Sequence, residues 1–115
     1  MYRDHASIND AYNAGNNIIS FAGELTKEEL KADEIRVSAI VYQVVIVGEA
    51  TTRLSSEFRE RYLDVPWKQM VGMRNILAHQ YDKLDFEILW NIICIGIPNI
   101  LSKIEPLIPR RVLTI

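Results

Sequence analysis

Residues 33–54, "DEIRVSAIVYQVVIVGEATTRL", decide the fold class, because they can be read as a strand or as a helix. Their middle is rich in isoleucine and valine, whose branched side chains favour strands. The stretch nevertheless runs for some twenty residues without a proline, and Gly48 is its only turn former. A normal strand has about five or six residues. We therefore predict one long central helix.

Helix signals also flank this segment on its N-terminal side. An apolar stripe with helical spacing covers about residues 4–21 and ends by Gly23, a residue common just after a helix. Thr26 and Glu29 then match the capping box that begins many helices. The pattern predicts a first long helix followed by a short one.

The C-terminal side shows similar signals. Ser55 can cap a short helix, and Pro66 suits the first turn of the next one. Asp85 can cap a final helix, whose axis we expect Pro98 to bend because proline lacks a donor. With 115 residues, these elements predict a single all-α domain spanning 1–115.

The composition limits the classes of partner. The chain is 49% hydrophobic and 24% charged, with a formal net charge of −2. Proteins that hold nucleic acid mainly by its phosphates usually carry a basic excess, so contact with RNA must be local here. Five cations are nevertheless clustered in sequence: Arg53, Arg59, Arg61, Lys68 and Arg74. A solvated helix face is the alternative interpretation of this cluster.

Further features predict a cytoplasmic protein without a metal, cofactor or membrane contact. The single cysteine, Cys94, cannot form an internal disulfide, and its apolar surroundings predict that it is buried. The N-terminus is polar, unlike a secretion signal, and the most apolar run falls short of the roughly 20 residues of a membrane span. His5 and His79 are far apart, and no carboxylate pattern has metal-site spacing.

The segment "RNILAHQY", residues 74–81, carries side chains suited to cleaving an RNA backbone. Arg74 offers a permanent forked charge to a phosphate, and His79 can transfer protons near neutral pH. Asn75 is four residues before His79 and shares its helix face, so it can orient the imidazole or a phosphate oxygen. Arg74 and His79 are five apart, roughly 140° around a helix. Either the helix ends before His79, or a second copy of the chain completes the pocket.

A structural interpretation of the same residues stays open. Arg74 can be a surface ion-pair partner of Glu49 or Asp82, and His79 a polar residue near a helix end. Tyr81 can be an amphipathic residue at the edge of the core. The periodicity excludes neither interpretation.

Three quoted stretches carry a resemblance to a known family. "VPWKQMVGMRNILAHQYDKLD" (65–85) resembles the signature of the HEPN superfamily, specifically its HepT-like ribonuclease toxins, in which an arginine precedes a histidine by four to six residues. "IVGEATTRLSSEFRERY" (46–62) and "DFEILWNIICIGIPNIL" (85–101) resemble the segments on either side. The likeness covers roughly residues 38–101, and the N-terminal helix resembles the family less closely.

The resemblance implies a HEPN-type bundle of four to five helices that forms a homodimer with its motifs at the subunit cleft. It implies a metal-independent endoribonuclease that needs no cofactor and acts on RNA by attack of the 2′-hydroxyl. Arg74 would bind the scissile phosphate, His79 would act as general acid and base, and Asn75 would help position them. Glu49 could support the site by pairing with Arg74 or Arg53, although such a residue is more often structural.

The resemblance also implies a type VII-like toxin–antitoxin module. An MNT-type nucleotidyltransferase antitoxin would silence the toxin by transferring AMP to Tyr81, unless Tyr81 only packs against the bundle. The adenylate would add bulk and negative charge where an RNA phosphate must enter. The alternative function is a non-catalytic subunit that binds a nucleotide or substrate for a nucleotidyltransferase.

Overall fold

The computed structural model describes residues 2–79 and 85–109, and all regular elements in these ranges are helices. The prediction of an all-α fold is therefore confirmed. A π-helical segment, Ile92–Gly96, joins the last two helices without a break. The helices are α1 (Tyr2–Ala22), α2 (Lys27–Lys31), α3 (Glu34–Thr52), α4 (Ser56–Arg61), α5 (Trp67–His79), α6 (Phe86–Asn91) and α7 (Ile97–Ile104).

The stretch that could have been a strand forms α3, the central helix of the bundle. Asp33 caps its first turn by accepting a hydrogen bond from the backbone N–H of Arg36. Helices α1 and α5 both pack along α3, and α1 also contacts α7. Ile40, Val44 and Val47 are buried between them. Burial of these side chains outweighs the modest preference of branched residues for strands.

The predicted helix ends are confirmed where the structure describes them. Gly23 has a φ of 55° directly after α1, a left-handed conformation that glycine adopts without strain. Thr26 and Glu29 form the reciprocal capping box at the start of α2. Ser55 caps α4 by accepting from the backbone N–H of Phe58 at 3.0 Å. These ends depend on neighbouring residues alone, which is why the sequence reveals them.

The C-terminal helices differ from expectation at two points. A π-helical segment that the sequence did not predict, Ile92–Gly96, ends two residues before Pro98. The bend of the axis expected at Pro98 stays a prediction. Cys94 is exposed, so the prediction that it is buried was wrong. Its neighbour Ile93 is buried, and each further residue turns about 100° around a helix. An apolar run of this kind therefore places some of its members outside the core.

A buried carboxylate connects the beginnings of α1 and α4. Asp4 is 3% exposed and accepts hydrogen bonds from the backbone N–H and the hydroxyl of Ser55, each at 2.8 Å. The backbone N–H of Ser55 is the main cause that lowers the pKa of Asp4 below 3.8, while burial opposes this effect. The Ser55 hydroxyl also caps α4, so the carboxylate fixes that short helix against the bundle.

Two helical stretches are long and apolar enough to cross a membrane by length and composition alone, Glu34–Thr52 and Phe86–Leu107. Both also contribute to the core, for example through Ile40 and Ile97. Core helices of soluble proteins meet the same criterion. The absence of membrane contact and the cytoplasmic location therefore stay predictions.

Candidate active site

Helices α3 and α5 make their closest approach at Gly48. A Cβ atom at this position would lie 2.2 Å from Cβ of Arg74 and 3.1 Å from the carbonyl oxygen of Met70. Only a residue without a side chain allows this distance, because real Cβ contacts are not shorter than about 3 Å. In the sequence Gly48 is only a turn former, because the contact with Arg74 joins residues far apart in the chain. Glu49 follows directly, which brings its carboxylate beside Arg74.

The guanidinium of Arg74 is held by two partners. Its Nη1 donates to Oε2 of Glu49 at 2.6 Å, and its Nε donates to Oδ1 of Asn75 at 3.1 Å. Within the described ranges its Nη2 makes no hydrogen bond. The Arg74 side chain is 25% exposed. The arrangement therefore fixes the plane of the cation and leaves one edge of the fork for an anion.

The structure selects one of the two partners considered for Glu49. Its carboxylate pairs with Arg74, whereas Arg53 lies at the end of α3 and pairs with Asp10 of α1 at 3.1 Å. The alternative partner considered for Arg74, Asp82, lies outside the described residues. The described site thus joins Arg74, Asn75 and Glu49.

His79 is the last residue of α5, and its side chain lies outside the described part of the structure. Because α5 includes residue 79, the alternative that the helix ends before His79 was wrong. Five helical steps still separate His79 from Arg74 by roughly 140° around the axis. Of the two alternatives, completion of the pocket by a second copy of the chain is the one that stays open. Tyr81 also lies outside the described residues.

In the parts of the chain that the structure describes, no group of three or more histidine, cysteine or carboxylate side chains is placed to hold a metal ion. The chemistry available at the site is that of the described side chains. A fixed guanidinium can bind and stabilise an anion, and an adjacent amide can orient it. This arrangement is suited to a phosphate ester.

The chain belongs to the HepT-like ribonuclease family. The family model "Ribonuclease HepT-like" matches residues 12–107. This range includes α3 and α5, the two helices of the Arg74 site, and α2 before them. The match also covers the second half of α1, the helix that resembled the family less closely in sequence. Family membership agrees with the resemblance that the motif indicated.

Named relatives point to the same class. A protein of Methanocaldococcus jannaschii, "Putative RNase MJ1380", is 34% identical over 100 residues, covering 87% of this chain and 92% of the relative. "Probable ribonuclease HepT" of Thermococcus cleftensis is 30% identical over 108 residues, covering 93% and 98%. "Putative RNase TTE0752" of Caldanaerobacter subterraneus is 34% identical over 84 residues, covering 73% and 75%. No solved structure matches the chain significantly.

Proposed function

We propose that this protein is a metal-independent endoribonuclease, acting as the toxin of a type VII-like toxin–antitoxin module. The observation that carries the proposal is the Arg74 guanidinium, fixed by Glu49 and Asn75, whose Nη2 has no hydrogen-bond partner among residues 2–79 and 85–109. Membership of a ribonuclease family supports a phosphodiester as that ligand. An ion pair alone would also suit a purely structural arginine, so the proposal depends on both observations together.

In the proposed reaction, Arg74 binds a non-bridging oxygen of the scissile phosphate. His79 accepts the proton of the 2′-hydroxyl as the 2′-oxygen attacks phosphorus. The bond from phosphorus to the 5′-oxygen breaks, and that oxygen takes up the proton that His79 accepted, which returns the imidazole to its neutral form. The products are a 2′,3′-cyclic phosphate and a free 5′-hydroxyl. Arg74 stabilises the charge that develops on the phosphate, and Asn75 keeps the guanidinium in position.

Two subunits are part of the proposal, because one straight helix presents Arg74 and His79 in different directions. A two-fold dimer that places α5 of each subunit beside the other would let Arg74 of one chain and His79 of the second act on one phosphate. Exposed apolar side chains on α5 and α6, Ile76 and Ile88, would favour such an association.

The test of catalysis is RNA cleavage in excess chelator by the wild type, Arg74→Ala and His79→Ala. We expect both variants to lose at least about a hundredfold in rate, as is typical when a charge-stabilising or proton-transferring group is removed. Arg53→Ala is the matched control, because Arg53 also pairs with a carboxylate, but with that of Asp10 and not with that of Glu49. Intact RNA with the folded wild type would contradict the proposal and favour the non-catalytic binding subunit.

The shared site is tested by co-expressing Arg74→Ala and His79→Ala chains. If each pocket takes one residue from each subunit, a mixed dimer contains one intact pocket and one pocket without either residue. About a quarter of wild-type activity is then expected from random pairing, since half of the dimers are mixed and each has one of two sites. Activity that stays as low as in the separate variants would exclude a pocket shared in this way.

We further propose that an MNT-type nucleotidyltransferase silences the protein by transferring AMP to Tyr81. Tyr81 is two residues after His79, so an adenylate there would place a negative charge near the position that the RNA phosphate must reach. Co-expression with the nucleotidyltransferase encoded nearest to this chain, followed by mass spectrometry, should show one or more adenylates on Tyr81. Tyr81→Phe should stay unmodified, and an unmodified wild type would contradict the silencing model.

A further inference from the structure

An open groove lies next to Asn75, on the side of α5 that faces α4. Its volume is about 430 Å³. The lining residues include two cations and an amide but no carboxylate, although the whole chain has more acidic than basic residues. We call it the α4–α5 groove, and it is lined by Arg59, Trp67, Lys68, Val71, Gly72 and Asn75.

The two cations of the α4–α5 groove differ from four arginines in the described part of the chain that have a carboxylate partner. Neither Arg59 nor Lys68 forms a hydrogen bond or an ion pair through its side chain within residues 2–79 and 85–109. The Nε atom of Arg59 is buried without a partner. A buried donor of this kind costs about 1–3 kcal/mol unless something satisfies it. By contrast, four arginines face a carboxylate: Arg36, Arg53, Arg61 and Arg74.

The groove is held in shape by hydrogen bonds of the protein itself. The indole Nε1–H of Trp67 donates to the carbonyl oxygens of Arg59 and Tyr62, both at 3.0 Å. The ring of Phe58 packs against Trp67 with centroids 6.2 Å apart. These contacts fix the end of α4 against α5. The backbone that carries Arg59 is therefore positioned before any ligand arrives.

The groove leads directly to the Arg74 site. Lys68, Gly72 and Asn75 have helical spacing and lie on one stripe of α5, and Asn75 accepts the hydrogen bond from Arg74. Seven residues of helix separate Lys68 from Asn75 by about 10 Å along the axis. No atom lies within 4 Å of the place where a Cβ of Gly72 would stand, so the middle of the stripe is open.

We propose that the α4–α5 groove binds the phosphates of the single-stranded RNA next to the scissile phosphate, through Arg59 and Lys68. Two cations that have no partner in the described part of the chain, beside a fixed arginine, provide the charge that a polyanionic strand requires. The place of the groove in catalysis rests on the proposed ribonuclease function, whereas its binding of RNA does not. This local basic surface also explains how a chain of net charge −2 could hold RNA.

The binding test uses single-stranded RNA with 2′-O-methyl groups, which cannot be cleaved, and measures affinity over a range of salt concentrations. Lys68→Ala should weaken binding and lower the salt dependence by about one counterion, as expected for loss of one phosphate contact. Gly72→Glu should weaken binding further, because it places a carboxylate in the open groove. Lys31→Ala, which removes the same charge from the exposed end of α2, should bind RNA like the wild type.

The second measurement compares cleavage of a dinucleotide with cleavage of a longer RNA. The kcat/KM of Lys68→Ala should fall more on the long RNA than on the dinucleotide, which cannot fill the groove. A wild type that binds RNA but does not cleave it would contradict the ribonuclease proposal and leave the groove supported. Unchanged RNA affinity in both Lys68→Ala and Gly72→Glu, or a wild type that does not bind the RNA, would overturn the groove proposal.

Discussion

Among the carboxylates that connect helices in the described parts of the chain, Asp4 and Glu49 lie in opposite environments. Asp4 joins α1 to α4 through Ser55 and is 3% exposed. Glu49 joins α3 to α5 through Arg74, and its side chain is 49% exposed. The first link is buried, whereas the second lies at the surface beside an arginine whose Nη2 has no partner among the described residues. The comparison separates a polar contact that maintains the fold from one that, under the proposed function, orients a site.

The different roles expected of Asp4 and Glu49 follow from how far each carboxylate is exposed to water. A buried carboxylate is costly unless hydrogen bonds compensate it, so removal of one partner leaves an expensive unsatisfied group. A half-exposed ion pair is screened by water and contributes at most about 1 kcal/mol to stability. We therefore expect changes at Asp4 to affect folding, and changes at Glu49 to affect activity.

The largest expected effect on stability is that of Asp4→Ala. It removes two hydrogen bonds and leaves the backbone N–H of Ser55 without its acceptor. We expect a loss of about 2–4 kcal/mol in the free energy of unfolding, measured by urea denaturation. Asp10→Ala is the matched control, because Asp10 is an exposed carboxylate of the same helix that pairs with Arg53. Equal losses in the free energy of unfolding of Asp4→Ala and Asp10→Ala would contradict the different roles expected of buried and exposed carboxylates.

Gly48→Ala should have the next largest effect, since it acts on the crossing that forms the Arg74 site. Alanine in a helix gains about 1 kcal/mol over glycine, but overpacking against Arg74 and Met70 costs about 1–3 kcal/mol. We expect net destabilisation of up to about 2 kcal/mol and loss of RNA cleavage as Arg74 moves. Gly72→Ala, in open space on α5, should instead stabilise the protein in the same denaturation assay. Full activity in Gly48→Ala would show that the close crossing is not required.

Glu49→Gln tests the role of the exposed carboxylate directly. The amide can still accept a hydrogen bond from Arg74 but lacks the charge that holds the guanidinium, so we expect kcat to fall about tenfold, or about 1.4 kcal/mol in the barrier. Glu49→Ala should lower it more, and neither variant should lose more than about 1 kcal/mol of stability. The control is Glu57→Gln, which removes the carboxylate facing Arg61. Lost stability with unchanged kcat would make Glu49 a structural residue.

The smallest expected effect is the pH dependence of stability that results from ionisation of Asp4. Its pKa is lowered in the folded protein, mainly by the backbone N–H of Ser55, so the ionised carboxylate stabilises the fold. This contribution is present above the unfolded value near 3.8 and is lost as the pH falls through the lower folded value. The difference in unfolding free energy between the wild type and Asp4→Asn should therefore shrink below about pH 4. A difference that grows toward low pH would show that the pKa is raised instead.

Local sequence features predicted most of the helices. Gly23, Thr26, Ser55 and Asp85 mark helix ends because capping involves only residues a few positions apart. The motif at Arg74 and His79 could be recognised because its residue types and their spacing lie within one helix. The length of α3 indicated a helix, although its branched side chains favour strands.

Only the tertiary structure determined which side chains of different helices contact each other. The sequence offered Glu49 two arginines, and the close crossing at Gly48 selected Arg74. It gave no sign that Asp4 would bond to Ser55, 51 residues away, or that Cys94 would face outward. Helix ends depend on hydrogen bonds within a few residues, but the partner of a side chain depends on how whole helices pack, and packing is set by the sum of many contacts distant in sequence.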